Sequence, residues 1–105
     1  MEQDIIAVVG AGSGGLAILQ LLADIPGIQI KWVYDSNQNA PGLLYAKKKG
    51  YPISTDTQFA DLVKDDSINL VFEITGQQGV FDLLSAMLPK KTTLIGAHGT
   101  KIIHK

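Results

Sequence analysis

The residues best suited to chemistry in this sequence are glycines. Gly10-Ala11-Gly12-Ser13-Gly14-Gly15 places four of them in six positions, between an apolar run and a helical one. Glycine costs roughly 0.5–1 kcal/mol relative to alanine inside regular structure, so this density marks a place where side chains would obstruct something. The spacing is G-x-G-x-x-G, with Gly10, Gly12 and Gly15 in the three required places. In that pattern the first glycine permits a tight turn, the second lets the main chain approach a pyrophosphate, and the third lets helix lie close on strand. The helix that follows offers its first N–H groups, and positive potential, to the phosphates. A carboxylate stands at the matching distance. Asp35 closes the run Val33-Tyr34-Asp35, twenty residues beyond Gly15, where it can accept hydrogen bonds from adenosine ribose hydroxyls. The bland alternative makes the glycines a tight turn and Asp35 a strand-end turn residue, and requires the spacing to be coincidence.

The same acid selects among dinucleotides. It would repel a 2′-phosphate, and Ser36-Asn37-Gln38-Asn39 bring no arginine or lysine to receive one, so NAD or NADH is expected over NADP. Other candidates are weaker. His98 and Lys101 follow the last strand, where ligands of open α/β sheets collect, and a histidine there could donate or accept a proton; a solvent-facing histidine is the simpler reading. Gln77 and Gln78 could bond a phosphate or ribose, or simply open a helix. Lys47-Lys48-Lys49 and Lys90-Lys91 sit at helix ends, where dipole complementarity and solvation account for them. Trp32 and Tyr34 alternate along a strand as packing residues do, and aromatics interleaved with basic residues are otherwise missing, which counts against nucleic acid.

The elements that must position these residues are legible as alternating patterns. The continuous apolar run Ile5 to Val9 reads as a strand buried on both faces, Ile28 to Tyr34 as the second strand and Asn69 to Ile74 as another continuous one, with Tyr51 to Ser54 a short strand and Thr92 to Ala97 a fifth. Between them lie helical patterns. Leu16 to Ala23 runs to a break at Pro26-Gly27, and Pro41 opens a second helix that Lys47-Lys48-Lys49-Gly50 closes. Thr55-Asp56-Thr57-Gln58 has the T-x-x-Q form of a capping box ahead of Phe59, Leu62 and Val63. Val80, Leu83, Leu84, Met87 and Leu88 fall at helical spacing before Pro89. Strict strand–helix alternation implies parallel pairing with right-handed crossovers, hence a five-stranded doubly wound α/β sheet, order 3-2-1-4-5, with helices on both faces.

Bulk properties narrow the class. A chain of 105 residues, 46% hydrophobic and 18% charged, is a single domain spanning 1–105, without a second catalytic lobe. A net charge of -1 gives no electrostatic reason to expect nucleic acid or an anionic membrane. No cysteine is present, so neither a disulfide frame nor a thiolate site exists, and no apolar run approaches a membrane span; the expected location is cytoplasmic. Ile102 and Ile103 read as the start of an element that ends before burying its apolar face. We therefore expect a piece of a longer chain, with a following segment or a second copy covering apolar surface there and along Leu16 to Ala23.

Through "AVVGAGSGG", "VYDSN" and "DLVKDDSINLVFEITG" the whole sequence resembles the Rossmann NAD(P)-binding domain of the glucose–fructose oxidoreductase and homoserine dehydrogenase type of enzymes. The resemblance implies a cofactor laid across Gly10 to Gly15, Asp35 and the strand-end residues Ile74, Thr75 and Gly76. The candidate cofactor-binding residues are thus Gly10, Gly12, Ser13, Gly14, Gly15, Asp35, Ser36, Thr75 and Gly76, with no metal. Those enzymes follow their fifth strand with a Glu-Lys-Pro segment whose lysine contributes to catalysis. Here the residues are Gly96-Ala97-His98-Gly99-Thr100-Lys101, so no catalytic role carries over. The leading expectation is an NAD(H)-binding module that serves a regulatory or sensory N-terminal role. The alternative is the coenzyme domain of an NAD-dependent oxidoreductase lacking its catalytic lobe. A third, weaker reading is another adenosine ligand such as S-adenosylmethionine, coenzyme A or FAD.

Overall fold

The computed structural model describes residues 3–96. Within them strands and helices alternate without exception: β1 (Asp4–Val9), α1 (Ser13–Ala23), β2 (Ile28–Tyr34), α2 (Pro41–Lys49), β3 (Ile53–Ser54), α3 (Ala60–Lys64), β4 (Leu70–Glu73), α4 (Gln78–Met87) and β5 (Thr93–Gly96). All pairings are parallel and the sheet order is β3-β2-β1-β4-β5, the order expected from the sequence. His98, Lys101, Ile102 and Ile103, and the final residue expected of the fifth strand, Ala97, lie outside the described residues.

Each face of the sheet has its own helices and its own core. Ile6 and Val8 of β1 pack with Ile30 and Val33 of β2 beneath Leu19 of α1 and Leu43 and Ala46 of α2. Ala7 and Val9 point the other way, to Tyr34, Phe59, Leu62, Val71 and Leu84 beneath α3 and α4. β1 is therefore buried on both sides, and its uninterrupted apolar sequence follows from that.

β2 departs from simple alternation. Ile6 pairs with Ile30 but Ala7 pairs with Trp32, so Lys31 is one residue too many for its partner strand. This bulge lets Ile30 and Val33, three apart, share a face. It also sends the Lys31 ammonium to the α3–β4 connection, 2.8 Å from Asp65 Oδ2 and 2.8 Å from Ser67 Oγ. Burial alone would raise the Asp65 pKa, but the Lys31 ammonium and the Ser67 hydrogen bonds outweigh it and hold the carboxyl down at about 2.

Helix ends follow local chemistry, with one correction. Pro41 occupies the first turn of α2, and Gly50, at φ 81, closes it after the three lysines. The expected capping box at Thr55–Gln58 does not form. Asp56 takes the capping role, its carboxylate accepting the N–H groups of Gln58 at 2.9 Å and Ala60 at 3.1 Å, and those bonds lower its pKa. α3 then starts only at Ala60, after Phe59 in a left-handed conformation at φ 54. Along α1 Leu19 is buried and Leu16, Ile18 and Leu22 are half-buried, while Ala17, Leu21 and Ala23 are exposed, Leu21 at 67%. Leu83 and Met87 of α4 also face outward, whereas Leu84 is buried.

Candidate functional site

Hydrophobic β1 ends at Val9, and Gly10 turns the chain out of the sheet with φ 101, a conformation that side chains oppose. A Cβ there would lie 2.8 Å from the Thr75 nitrogen, so the loops after β1 and β4 touch main chain to main chain. Gly15 is under a different constraint. A Cβ on it would sit 2.0 Å from the Gly10 carbonyl oxygen, so the helix can fold back on its own loop only if this residue is bare. Gly14 leans on Ile74, whose Cγ2 would be 3.1 Å from an added Cβ. Gly12 differs from all three in that nothing lies within 4 Å of where its Cβ would be, and it is exposed. The space it leaves is open.

Gly12 is also the N-cap of α1, which has no side-chain cap and no acidic residue in its first turn. The helix thus starts with its positive end toward that opening, with Ser13 and Gly14 exposed beside it. α2 braces the loop from behind. Gly42 donates its N–H to the Ala11 carbonyl at 2.6 Å, and a Cβ on Gly42 would be 2.6 Å from the same oxygen.

Asp35 joins the end of β2 to this loop. Its Oδ2 accepts the Ala11 N–H at 2.8 Å and its Oδ1 accepts the Asn37 N–H at 2.8 Å, so the carboxylate is fixed in orientation by main-chain donors on both sides. Each oxygen keeps a second lone pair for a hydroxyl donor. Gly10 donates to the Tyr34 carbonyl at 2.8 Å, a further tie between the two strand ends.

A cleft of about 370 Å³ opens at the carboxyl end of the sheet. Val9, Gly10 and Gly12 form one wall, Tyr34, Asp35 and Ser36 a second, Thr55, Asp56, Thr57 and Phe59 a third, and Ile74, Thr75, Gln77 and Val80 a fourth. Tyr34 and Phe59 meet edge to face at 5.2 Å. Burial pushes the Tyr34 phenol up to about 12; the nearby Leu62 backbone opposes that rise, while the carboxylates of Asp61, Asp56 and Asp65 add to it.

The wall after β4 is held from within. Glu73 is fully buried, and its Oε2 accepts the Thr75 N–H at 2.7 Å together with the Thr75 hydroxyl. The Thr75 hydroxyl oxygen in turn accepts the Gln77 N–H at 3.1 Å, and Gly76 makes the turn at φ 73. Gln78 is turned away from the cleft by its bond to Asp82 in the next helical turn, at 2.7 Å.

Of the residues singled out in the sequence, Gly10, Gly12, Asp35, Ser36 and Thr75 line one cleft. Ser13 and Gly14 stand at the helix start beside it, Gly15 shapes the loop from beneath, and Gly76 forms the turn after β4. Tyr34 was readable as packing, and it does pack, but it also faces the cleft with Phe59 and Val80. Glu73 and Gly42 gave no signal in a single sequence, since one reads as a strand residue and the other as a helix residue.

No family model matches the chain, and neither does any curated protein. Solved structures do. GenD2 from gentamicin A biosynthesis, solved in complex with NAD, matches over 91% of this chain with TM-score 0.75 and 21% identity. The chain has a Rossmann fold. A homoserine dehydrogenase from S. aureus matches over 92% of it, with TM-score 0.64 and 25% identity. An NAD-binding protein from Listeria innocua matches over 95%, with TM-score 0.58 and 12% identity. The matched region is 27% of GenD2, 26% of the homoserine dehydrogenase and 36% of the Listeria protein, so this Rossmann domain spans only a part of each. Among the described residues no helix is long and apolar enough to cross a membrane, and no cluster of side chains could hold a metal ion.

Proposed function

We propose that this Rossmann domain binds NAD(H), with the pyrophosphate against Gly12 and the first turn of α1. In this reading the adenosine ribose sits on Asp35, flanked by Ser36, and the adenine enters the cleft between Tyr34, Phe59 and Val80. The observation that carries the reading is the 2.8 Å bond from the Ala11 N–H to Asp35, because it couples the sugar-binding acid to the phosphate-binding loop as one rigid unit. GenD2, the similar structure solved with NAD, supports it. Preference for NAD over NADP follows from the charge on Asp35 and from the uncharged residues after it.

Calorimetric titration with NAD, NADH and NADP tests this. NAD or NADH is expected to bind more tightly than NADP, and Asp35→Ala to narrow the gap; equal affinities in the wild type would refute the role given to Asp35. We further propose a regulatory or sensory role in the cytoplasm, without nucleic acid as partner. The support is the stretch Gly96 to Lys101, which lacks a Glu-Lys-Pro segment. The likeness to a homoserine dehydrogenase favours a second reading, the coenzyme domain of an NAD-dependent oxidoreductase. Sequence encoded beyond Lys105 separates the two, since an α+β substrate domain means an oxidoreductase and a PAS-like, kinase or DNA-binding segment means a sensor. Contact with such a segment, or with a second copy, belongs to the same proposal.

A further inference from the structure

The two faces of the sheet are covered unequally. On one face α1 and α2 lie over β1, β2 and β3, while Leu62 of α3 and Leu84 of α4 belong to the core of the other. Leu94 of β5 packs into that second core, so its neighbours Thr93 and Ile95 point to the α1 side, Ile95 in register with Phe72 of β4. Among the described residues no helix lies over this β4–β5 half of the α1 face. Thr93 is exposed, Ile95 is 42% exposed, and Leu70 and Phe72 are only half-buried.

The flank of α1 that borders this gap is apolar as well. Gly14, Ile18 and Leu21 recur at intervals of four and three, which places them in one stripe along the helix. Gly14 leans on Ile74, just after β4, so the stripe is turned toward β4. Leu21 nevertheless remains exposed, as does Ile25 just beyond the helix. A helix leading from β5 to a further parallel strand would not fill the gap. The step from β4 to β5 runs opposite to that from β1 to β2, so a right-handed crossover continuing past β5 lies on the α4 face.

This surface is complementary to itself. One side carries a ridge, α1, and the other an empty shelf, β4 and β5. A two-fold axis parallel to the strands sets the ridge of each copy on the shelf of the other and keeps the amino ends of the two sheets together. The charges agree with that arrangement. Asp24 caps the carboxyl end of α1, where the helix dipole disfavours an acid and the last turn holds no basic residue. It takes part in neither ion pair of the described residues, which join Lys31 to Asp65 and Lys91 to Asp66, and neither does Lys90, exposed just before β5. Both lie at the amino end of the sheet, Asp24 on the ridge side and Lys90 on the shelf side. We infer that this chain forms a symmetric dimer through the α1 flank and the bare β4–β5 face, with Leu21 of each copy against Phe72 and Ile95 of the other, and Asp24 beside the other copy's Lys90. The inference gives a surface to the second-copy contact proposed above and does not depend on a nucleotide.

Sedimentation velocity of the full chain over a concentration series tests it. The wild type is expected to sediment as a dimer, twice 11.3 kDa, at roughly 0.1 mM, where a dimer of micromolar dissociation constant is nearly complete. Leu21→Glu and Ile95→Glu each put a charge into the apolar contact and should raise the dissociation constant roughly a hundredfold, with far-ultraviolet circular dichroism unchanged because both side chains are exposed in the single chain. Asp24→Lys should weaken the dimer about tenfold, since two such pairs form per dimer, and adding Lys90→Glu should restore it. A wild type that is monomeric at that concentration, a dimer indifferent to Leu21→Glu and Ile95→Glu, or no restoration by Lys90→Glu overturns the inference. A monomer whose Leu21 and Ile95 amides are protected from hydrogen exchange overturns it too, and assigns the surface to this chain's own residues after Gly96. Should the glutamate variants not fold, Leu21→Ser and Ile95→Ser decide on the same terms. A monomeric wild type that binds NAD refutes the dimer alone and leaves the dinucleotide reading standing.

Discussion

Two glycines of one loop should respond to substitution in opposite ways. A Cβ on Gly15 would lie 2.0 Å from the Gly10 carbonyl oxygen and 2.9 Å from its carbon, both main-chain atoms that cannot rotate aside. Gly15→Ala must therefore lift α1 from β1, an overpacking cost of about 3 kcal/mol. For a domain of this size that is a fall in Tm on the order of 15 °C. Gly12 has nothing within 4 Å of its Cβ position and is exposed at the helix N-cap, so Gly12→Val costs the fold about 1 kcal/mol at most. Its isopropyl group, however, fills the space that the pyrophosphate would use. Losing two charge-assisted hydrogen bonds, at about 1.5 kcal/mol or more each, weakens binding by at least about a hundredfold. Thermal unfolding followed by circular dichroism, and NAD titration of both variants, read the two effects separately. Gly12→Val should keep its Tm within a few degrees and lose NAD; Gly15→Ala should lose Tm first. Normal NAD affinity in Gly12→Val would show that the loop is only a turn and refute the reasoning.

The remaining predictions concern how the scaffold is held. Lys31→Met removes the cation beside Asp65, worth up to about 1 kcal/mol for a partly exposed pair. Because Asp65 titrates at about 2 in the fold against about 3.9 unfolded, the pair contributes fully above pH 4 and its contribution is lost as pH falls through 2. Urea unfolding at pH 7 and pH 2 should show the stability gap between wild type and variant closing; a gap of equal size at both would contradict the assignment. Gly42→Ala puts a methyl group 2.6 Å from the Ala11 oxygen, so it should cost about 1–3 kcal/mol in stability and weaken NAD binding by displacing the loop; an unchanged Tm would show that α2 does not brace it.

Sheet order and the glycine loop were legible because they rest on short-range rules. Ile5 to Val9 is apolar without a break since both faces of its strand are covered, and alternation of strands with helices then fixes parallel pairing. Gly10, Gly12, Gly15 and Asp35 were legible through spacing alone. What the sequence hid depends on contacts between distant residues. The bulge at Lys31 is set by pairing with β1, and nothing in the order Ile30-Lys31-Trp32 announces it. Thr55 and Gln58 have the form of a capping box, but Asp56 lies between them and its carboxylate reaches the Gln58 and Ala60 amides instead. Gly42 looks like an ordinary helix residue until α2 is seen to touch Ala11. Glu73 continues a strand pattern, and only the fold shows that it is fully buried, with the Thr75 amide turned back onto its carboxylate.

The central claim is that the main chain from Gly12 to Gly15 faces a bound pyrophosphate, and amide chemical shifts test it most directly. In ¹⁵N-labelled protein titrated with NAD, the amides of Gly12, Ser13, Gly14 and Gly15 should move most, together with those of Asp35 and Thr75. A titration in which NAD leaves these amides in place, or shifts only residues away from the cleft, would contradict the account and leave a Rossmann fold without a dinucleotide.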